Sequence, residues 1–440
     1  MRLFATFLVA MTISAAYAQS PSEKLAAHTA EFAQGVVEVT DGVYVAIGYG
    51  LANSILIEGD DGVIIVDTME GPVTAKLARA EFDKITTKPV KAIIYTHYHA
   101  DHIGGARTMA GGARDVEVYA HATTLGEVEG RYNELRAIET RRAMRQFGVG
   151  LPPDVFMNCG IGPRLVPNTA DLTAEFMPPT KTLDTDHASY EVAGIKFDLM
   201  HQPGETDDQI YVWLPEKKVL MCGDNYYKSF PNLYAIRGTS YRDVCKWADS
   251  VDKMIAEGPE YLVPSHTRPL AGAEVIRETL SNYRDAIRFV HDETVKGINQ
   301  GKTPDELAQT IHLPAELASK PYLQEFYGTV AWSVRNIFNG YLGWFDGNAT
   351  NLFPLTPRAR AERIAHLAGG PDKLLESARA ALASGDVQWA AELADMLLAL
   401  EYETPAVKAL KADALTKLAE GQTSANGRNY YSVSARELRQ

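Results

Sequence analysis

The ten residues Thr96-His97-Tyr98-His99-Ala100-Asp101-His102-Ile103-Gly104-Gly105 place three imidazoles and a carboxylate within six positions. Neutral imidazole and carboxylate are donors that suit zinc. Structural zinc sites usually carry thiolates, and no cysteine lies in this stretch, so a catalytic metal is favoured. A merely polar turn would bury these titratable groups together at a large desolvation cost.

The elements that must position these donors can be read on either side. The run Val90-Lys91-Ala92-Ile93-Ile94-Tyr95 is short, apolar and β-branched, which predicts a buried strand. Gly104-Gly105 allows a tight turn against the site. Donors at the carboxyl end of a strand are where an open α/β sheet places its chemistry. Strand texture runs from Val36 to Thr68, with a hairpin turn at Asp60-Asp61-Gly62. It returns at Tyr190 to Met200, Ile210 to Leu214, Lys218 to Asp224 and Tyr261 to His266. Gly71 to Phe82 has helical spacing, with Val73, Leu77 and Ala80 as its apolar positions. Glu127 to Phe147, carrying Arg131, Arg136, Arg141, Arg142 and Arg145, predicts a helix with a solvated face. Gly148 to Pro179 predicts an irregular insertion near the mouth of the site. From Glu274 onward the pattern is helical. Within it Ala378 to Ala399 resembles one tetratricopeptide-type helix pair, which must pack on its neighbours or on a second subunit. Asn426 to Tyr431 predicts a polar tail that docks back.

The spacing His97-x-His99-x-Asp101-His102 resembles the HxHxDH signature of the metallo-β-lactamase superfamily. That resemblance implies an α+β fold: an αβ/βα sandwich over residues 19–273, followed by an all-α helical region over 274–440. It implies two Zn2+ per chain, with His97 and His99 on one and Asp101 and His102 on the other. Pro203-Gly204-Glu205-Thr206 stands where the common pattern is Pro-Gly-His-Thr, so Glu205 becomes the third ligand of the first metal. Asp224 becomes the bridging carboxylate and His266 the last ligand of the second metal. Asp67, ending the strand Val63 to Thr68, orients a metal-bound histidine from behind.

Asn232-Leu233-Tyr234-Ala235-Ile236-Arg237-Gly238 is similar to a segment of the metal-dependent alkylsulfatases. Leu323 to Val330, Tyr341 to Asn348, and Gly369-Gly370 with Trp389 to Leu393 extend the similarity over the mature chain. The resemblance implies hydrolysis of alkyl sulfate esters by a hydroxide held on the metals, with Asp101 at the reacting centre. It implies that Asn232 and Arg237 hold the sulfate and that the helical region makes a homodimer. A guanidinium fork is the natural grip for a pair of sulfate oxygens. Tyr341 and Trp332 are further substrate-side candidates. The chain departs from the family in three places. Asp224 stands where the family usually has Glu, Ala331-Trp332-Ser333 where it has Ser-His-Asn, and the sequence ends before a sterol-carrier-like domain.

Composition sets the outer bounds. The chain has 440 residues, 46% hydrophobic and 22% charged, as an ordinary globular protein does. A net charge of −13 argues against a nucleic-acid partner and asks for specific cations if the small-molecule ester is anionic. Met1-Arg2, an apolar run to Ala16 and Ala16-Tyr17-Ala18 form a signal peptide over 1–18, which predicts a periplasmic or secreted protein. No later stretch is apolar for long enough to span a bilayer. Cys159, Cys222 and Cys245 are an odd set, so at least one thiol is unpaired. Two other functions compete: hydrolysis of another ester, lactone, lactam or phosphoester with Trp332 lining an apolar pocket, and a non-catalytic periplasmic binding protein.

Overall fold

The computed structural model describes residues 19–113, 115–167 and 175–440. The signal-peptide expectation for 1–18 lies outside them. Two sheets face each other. The first runs β1 (Gly35–Thr40), β2 (Val43–Ile47), β3 (Ser54–Glu58), β4 (Val63–Val66), β5 (Val90–Ile94), β6 (Glu117–His121) and β7 (Lys181–Leu183), in that spatial order. Its first four strands pair antiparallel, and β4 to β7 pair parallel. The second contains β8 (His187–Val192), β9 (Ile195–His201), β10 (Ile210–Leu214), β11 (Val219–Gly223), β12 (Tyr261–Pro264) and β13 (Leu270–Ala271), in the order β13-β12-β11-β10-β9-β8. Only β11 and β12 pair parallel within it.

Three layers of apolar packing explain why strands such as β4, β10 and β11 are apolar at every position. Val45, Ile55, Ile64 and Ile94 meet Leu199, Ile210, Val212 and Met221 between the sheets. The outer face of the first sheet is covered by the helix Pro72–Ile85. The outer face of the second is covered by the helices Val244–Glu257, Ala273–Asn299 and Val330–Leu342. This is the α+β sandwich, and its core runs on into the helical region without a break at residue 273.

The helix Pro72–Ile85 forms, but it turns a different face inward. Thr74, Ala75, Ala78 and Phe82 are buried, while Val73 and Leu77 are exposed. The reason is close approach. A Cβ on Gly105 would lie 2.4 Å from both Ala75 Cβ and the Thr68 carbonyl. Small residues on both elements let the histidine turn sit tight against the helix, and Val or Leu there would not fit.

In the C-terminal region the helices Pro371–Ser384, Val387–Ala399, Thr404–Glu420 and Ala425–Leu438 stack each on the next. The tetratricopeptide-like pair is therefore covered by its successors. The expected polar tail is the first part of a docked helix. Ser424 Oγ and Asn426 Nδ2 both donate to the Tyr327 carbonyl, at 2.9 and 3.2 Å. All three cysteines are free, with Cys159 and Cys222 buried. Among the described residues no helix is long and apolar enough to cross a membrane.

The helix Pro21–His28 anchors the N-terminal arm. Buried His28 stacks on Phe326 at 4.0 Å and donates from Nε2 to the Gly160 carbonyl at 2.8 Å. Burial pushes its pKa down to about 4. A histidine depressed in the folded state stabilises fully above the ordinary value of 6.5, and that stability is lost as pH falls through 4. The loss amounts to about 3 kcal/mol at most. Thermal melts of His28→Gln and the parent protein should therefore converge on acidification from pH 7 to 4. Curves that stay parallel across that range would remove His28 as the source.

Candidate metal centre

The site lies along one edge of the sandwich, where β4, β5, β9, β11 and β12 all end. Asp67 is the first piece. It sits at φ 58°, a left-handed conformation that Asp tolerates better than most residues. The turn aims its buried carboxylate back at the motif. Oδ1 accepts from Thr96 N at 2.9 Å, and Oδ2 accepts from Thr96 Oγ1 at 2.9 Å and Ser265 Oγ at 2.7 Å. Oδ2 also takes the Nδ1–H of His102 at 2.7 Å. That contact orients the ring and leaves His102 Nε2 facing the site. His266 is set in the same way: its Nδ1 donates to the Leu51 carbonyl at 2.9 Å, and its Nε2 faces inward.

The seven expected donors converge. Ligand atoms of His99, Glu205 and Asp224 lie within 4.8 Å of one another. So do those of Asp101, His102 and His266, and those of His97, His102 and Asp224. Only Asp101 is not fully buried. His102 Nε2, His266 Nε2 and Asp224 Oδ1 are buried with no hydrogen-bond partner among the described residues. Buried polar atoms without a hydrogen bond are costly, and a shared cation satisfies all three at once. Burial holds His97 and His99 well below the usual histidine range, so both are neutral donors. Burial opposes ionisation of Asp224, but the His266 and His102 rings beside it hold its carboxyl well below the usual range. The residues fit divalent metal. Glu205 differs from the rest in carrying its own counter-ion, buried Arg242, at 2.9 Å. Burial raises Glu205 and Arg242 opposes that rise.

A cavity of 540 Å³ opens on the donors. Asp101, Glu205, Asp224, His99 and Arg237 line its floor, and Leu125, Val128, Ala143, Met144, Phe147, Leu165 and Phe176 make much of its wall. Arg237 Nη2 donates to His99 Nε2 at 3.1 Å. Asn232 is buried a few residues away with its side-chain amide unpartnered among the described residues, but it does not line the cavity. Two further substrate-side candidates are not brought to the site. Trp332 lies on the helix Val330–Leu342 with its ring edge against Gly427, in the seam with the C-terminal helix. Tyr341 is 55% exposed at the far end of the same helix, where it hydrogen-bonds His291. A thirteen-residue helix that starts beside Tyr327 carries its last turn about 20 Å away, so the two ends cannot share a cavity.

The reading of Glu127 to Phe147 as a solvated helix also needs correction. The stretch belongs to two helices, Thr124–Glu134 and Arg136–Gln146, whose inner sides form the cavity wall. Charge density hid this, because Leu125, Val128, Ala143 and Met144 lie too far apart to make one apolar stripe. Glu70, Gln146 and Arg242 are further site residues that no motif marks, and Tyr327, inside the Leu323 to Val330 similarity, also lines the cavity. Glu70 lines the cavity, accepts from Leu51 N and Val166 N, and is pushed up to about 7 by burial.

Comparison with known proteins agrees with this architecture. Residues 47–266 match the metallo-beta-lactamase superfamily, and residues 303–440 match the alkyl sulfatase dimerisation family. The chain belongs to the metallo-β-lactamase superfamily and, within it, to the alkylsulfatases with a helical dimerisation region. A linear primary-alkylsulfatase of a Pseudomonas species is 39% identical over 391 residues, covering 87% of this chain and 73% of that one. An alkyl/aryl-sulfatase of Saccharomyces cerevisiae is 32% identical, covering 92% of this chain and 64% of its own length. The solved stereoselective inverting sec-alkylsulfatase of a Pseudomonas species superposes with a TM-score of 0.88 at 29% identity, over 95% of this chain and 68% of that one.

Removing the carboxylate that orients His102 tests the metal geometry without touching a donor. Asp67→Ala should weaken divalent-metal affinity by roughly 10- to 100-fold, read by competition with a chromophoric chelator. An unchanged affinity would show that His102 needs no orienting partner.

Proposed function

We propose that the protein hydrolyses sulfate esters carrying an apolar alkyl or aryl group, using two zinc ions held by His97, His99, Asp101, His102, Glu205, Asp224 and His266. The observation that carries this reading is the placement of Arg237, a fixed cation beside the seven donors at the floor of a largely apolar cavity. When bound, such metals supply a water of lowered pKa and Lewis acidity toward an ester oxygen.

The chain's own residues do the rest. His99 presents Nδ1 toward His97 and Glu205. Arg237 stands beside the His99 ring at the cavity floor, where its guanidinium fork matches two oxygens of a sulfate. Arg242 stays paired with Glu205 and keeps that carboxylate charged inside the protein. Phe147, Met144, Leu165 and Phe176 exclude water and receive the organic group, which strengthens every charge interaction on the floor. Hydrolysis of an uncharged lactone or lactam leaves Arg237 without a partner. The reading with Trp332 in the pocket loses its basis, because Trp332 packs elsewhere. A binding protein without catalysis would not need a buried, oriented donor set.

We further propose a catalytic part over 19–273 and a helical part over 274–440 that share one core, export after cleavage of residues 1–18, and a homodimer. The helical part exposes Trp344 (73%), Phe353 (95%) and Leu367 (85%), large apolar side chains that a second copy would cover.

Elemental analysis of protein supplied with zinc should give about two ions per chain, because seven donors exceed one tetrahedral site. Arg237→Ala should lower catalytic efficiency on a sulfate ester by roughly a hundredfold, the scale of one charge-assisted contact in a desolvated site, with metal content unchanged. Full activity of that variant on every hydrolysed substrate would move the anion grip elsewhere. Light scattering at micromolar concentration should give a dimer mass for the parent and a monomer mass for Trp344→Asp with Phe353→Asp; a monomeric parent would end the dimer proposal.

A further inference from the structure

Arg237 lies in a stretch, residues 225–243, with no helix or strand of its own. Its guanidinium can hold a fixed position only if something else holds its backbone. Gln146 does so. Its side chain is fully buried, and Oε1 accepts the Arg237 N–H at 3.0 Å. Its Nε2 points at the Tyr327 hydroxyl at 3.5 Å. One turn earlier on the same helix, Arg142 Nη2 donates to the Ile236 carbonyl at 2.6 Å. Two side chains of the helix Arg136–Gln146 therefore hold consecutive residues of the loop that carries the cation.

The helix is gripped from its other side by the end of the chain. Arg145 pairs with Glu437 at 2.7 Å and lies over the Tyr430 ring at 5.8 Å. Gly148, just past the helix, has φ 66° and packs so closely on Asn429 that a Cβ would meet that side chain at 2.9 Å. Asn429 Nδ2 in turn donates to the Asn158 carbonyl at 3.1 Å. The route from the helical region to the cavity floor is continuous: the helix Ala425–Leu438, then Arg136–Gln146, then the Arg237 backbone.

We infer that Gln146 is a positioning residue for the cation at Arg237, and that the helix Arg136–Gln146 is a brace through which the C-terminal helix holds the anion site in place. The inference rests on the reading of Arg237 as the anion grip, so the test separates the two. Inorganic sulfate serves as competitive inhibitor of the full-length, zinc-loaded protein, alongside KM, kcat and metal content. Arg237→Ala should weaken sulfate inhibition strongly. Gln146→Leu, which removes the acceptor, should weaken it roughly fivefold, as expected for one lost hydrogen bond, and raise KM in step. Metal content should stay the same. Gln146→Glu keeps an acceptor oxygen and should restore inhibition close to the parent value. Arg142→Met acts on the same loop from a half-exposed position and decides the matter if Gln146→Leu does not fold. Its sulfate inhibition should weaken severalfold. If Arg237→Ala weakens sulfate inhibition while Gln146→Leu or Arg142→Met leaves it unchanged, the brace is overturned and the anion grip stands. If Arg237→Ala itself leaves it unchanged, the grip fails and the brace with it. Equal defects in Gln146→Leu and Gln146→Glu would overturn the role of the acceptor oxygen.

Discussion

One buried carboxylate gathers the site. Asp67 accepts from the backbone and hydroxyl of Thr96 after β5, from Ser265 after β12, and from His102 in the motif helix. An isolated ionised carboxylate in a protein interior is very costly, and four donors from three segments are what make this one tolerable. Three of the four hold the motif to the end of β4, and the fourth, from Ser265, fastens the edge of the second sheet to the edge of the first. Packing between two sheets alone would allow small sliding; a shared anion with directional bonds does not. The orientation of His102, the separation of the sheet edges and the closeness of His266 to Asp101 all depend on that anchor.

The residues read best from the sequence were those whose chemistry is local. Six motif positions on one turn announce a metal by residue type alone. Asp67, Asp224 and His266 are legible through the superfamily resemblance, each at the end of an apolar run that reads as a strand. The sheets were legible for a related reason: runs buried on both faces need no alternation to be recognised as strands. Glu205 was reached through its Pro-Gly-x-Thr setting, while its partner Arg242, thirty-seven residues on, had no local signal at all.

What escaped sequence reasoning depends on packing across distant segments. The buried face of Pro72–Ile85 is its face of small residues, because closeness to Gly104-Gly105 matters more there than apolar area. Hydrophobic periodicity scores area, so it chose Val73 and Leu77. Trp332 and Tyr341 were linked to the substrate through neighbouring motifs, yet the helix between them carries one into a domain seam and the other to the surface. The charged pair of helices from Thr124 to Gln146 reads as solvent-facing because its arginines dominate the composition. Two of those arginines are paired inward or along the protein: Arg142 to a carbonyl, Arg145 to Glu437. A long cation with an apolar stem can hold a loop as well as coat a surface.

That last point bears on how metal and substrate chemistry are divided in this fold. The donors hang from strand ends inside the sandwich, where sheet hydrogen bonds already fix their positions. Arg237 has no strand behind it, and its backbone is held instead by side chains of a helix that is itself pinned by the last helix of the chain. Metal binding should therefore be a property of the sandwich, insensitive to moderate damage in the helical region. Anion recognition should be a property of both halves together. The arrangement also explains why a rigid site can carry a variable cavity: the wall helices and the irregular segment from Gly148 to Pro167 can change shape around a fixed metal floor, provided the two contacts to Ile236 and Arg237 are kept. Selection for a different organic group would then act on wall residues such as Leu125, Met144 and Leu165, and leave Gln146 and Arg142 in place.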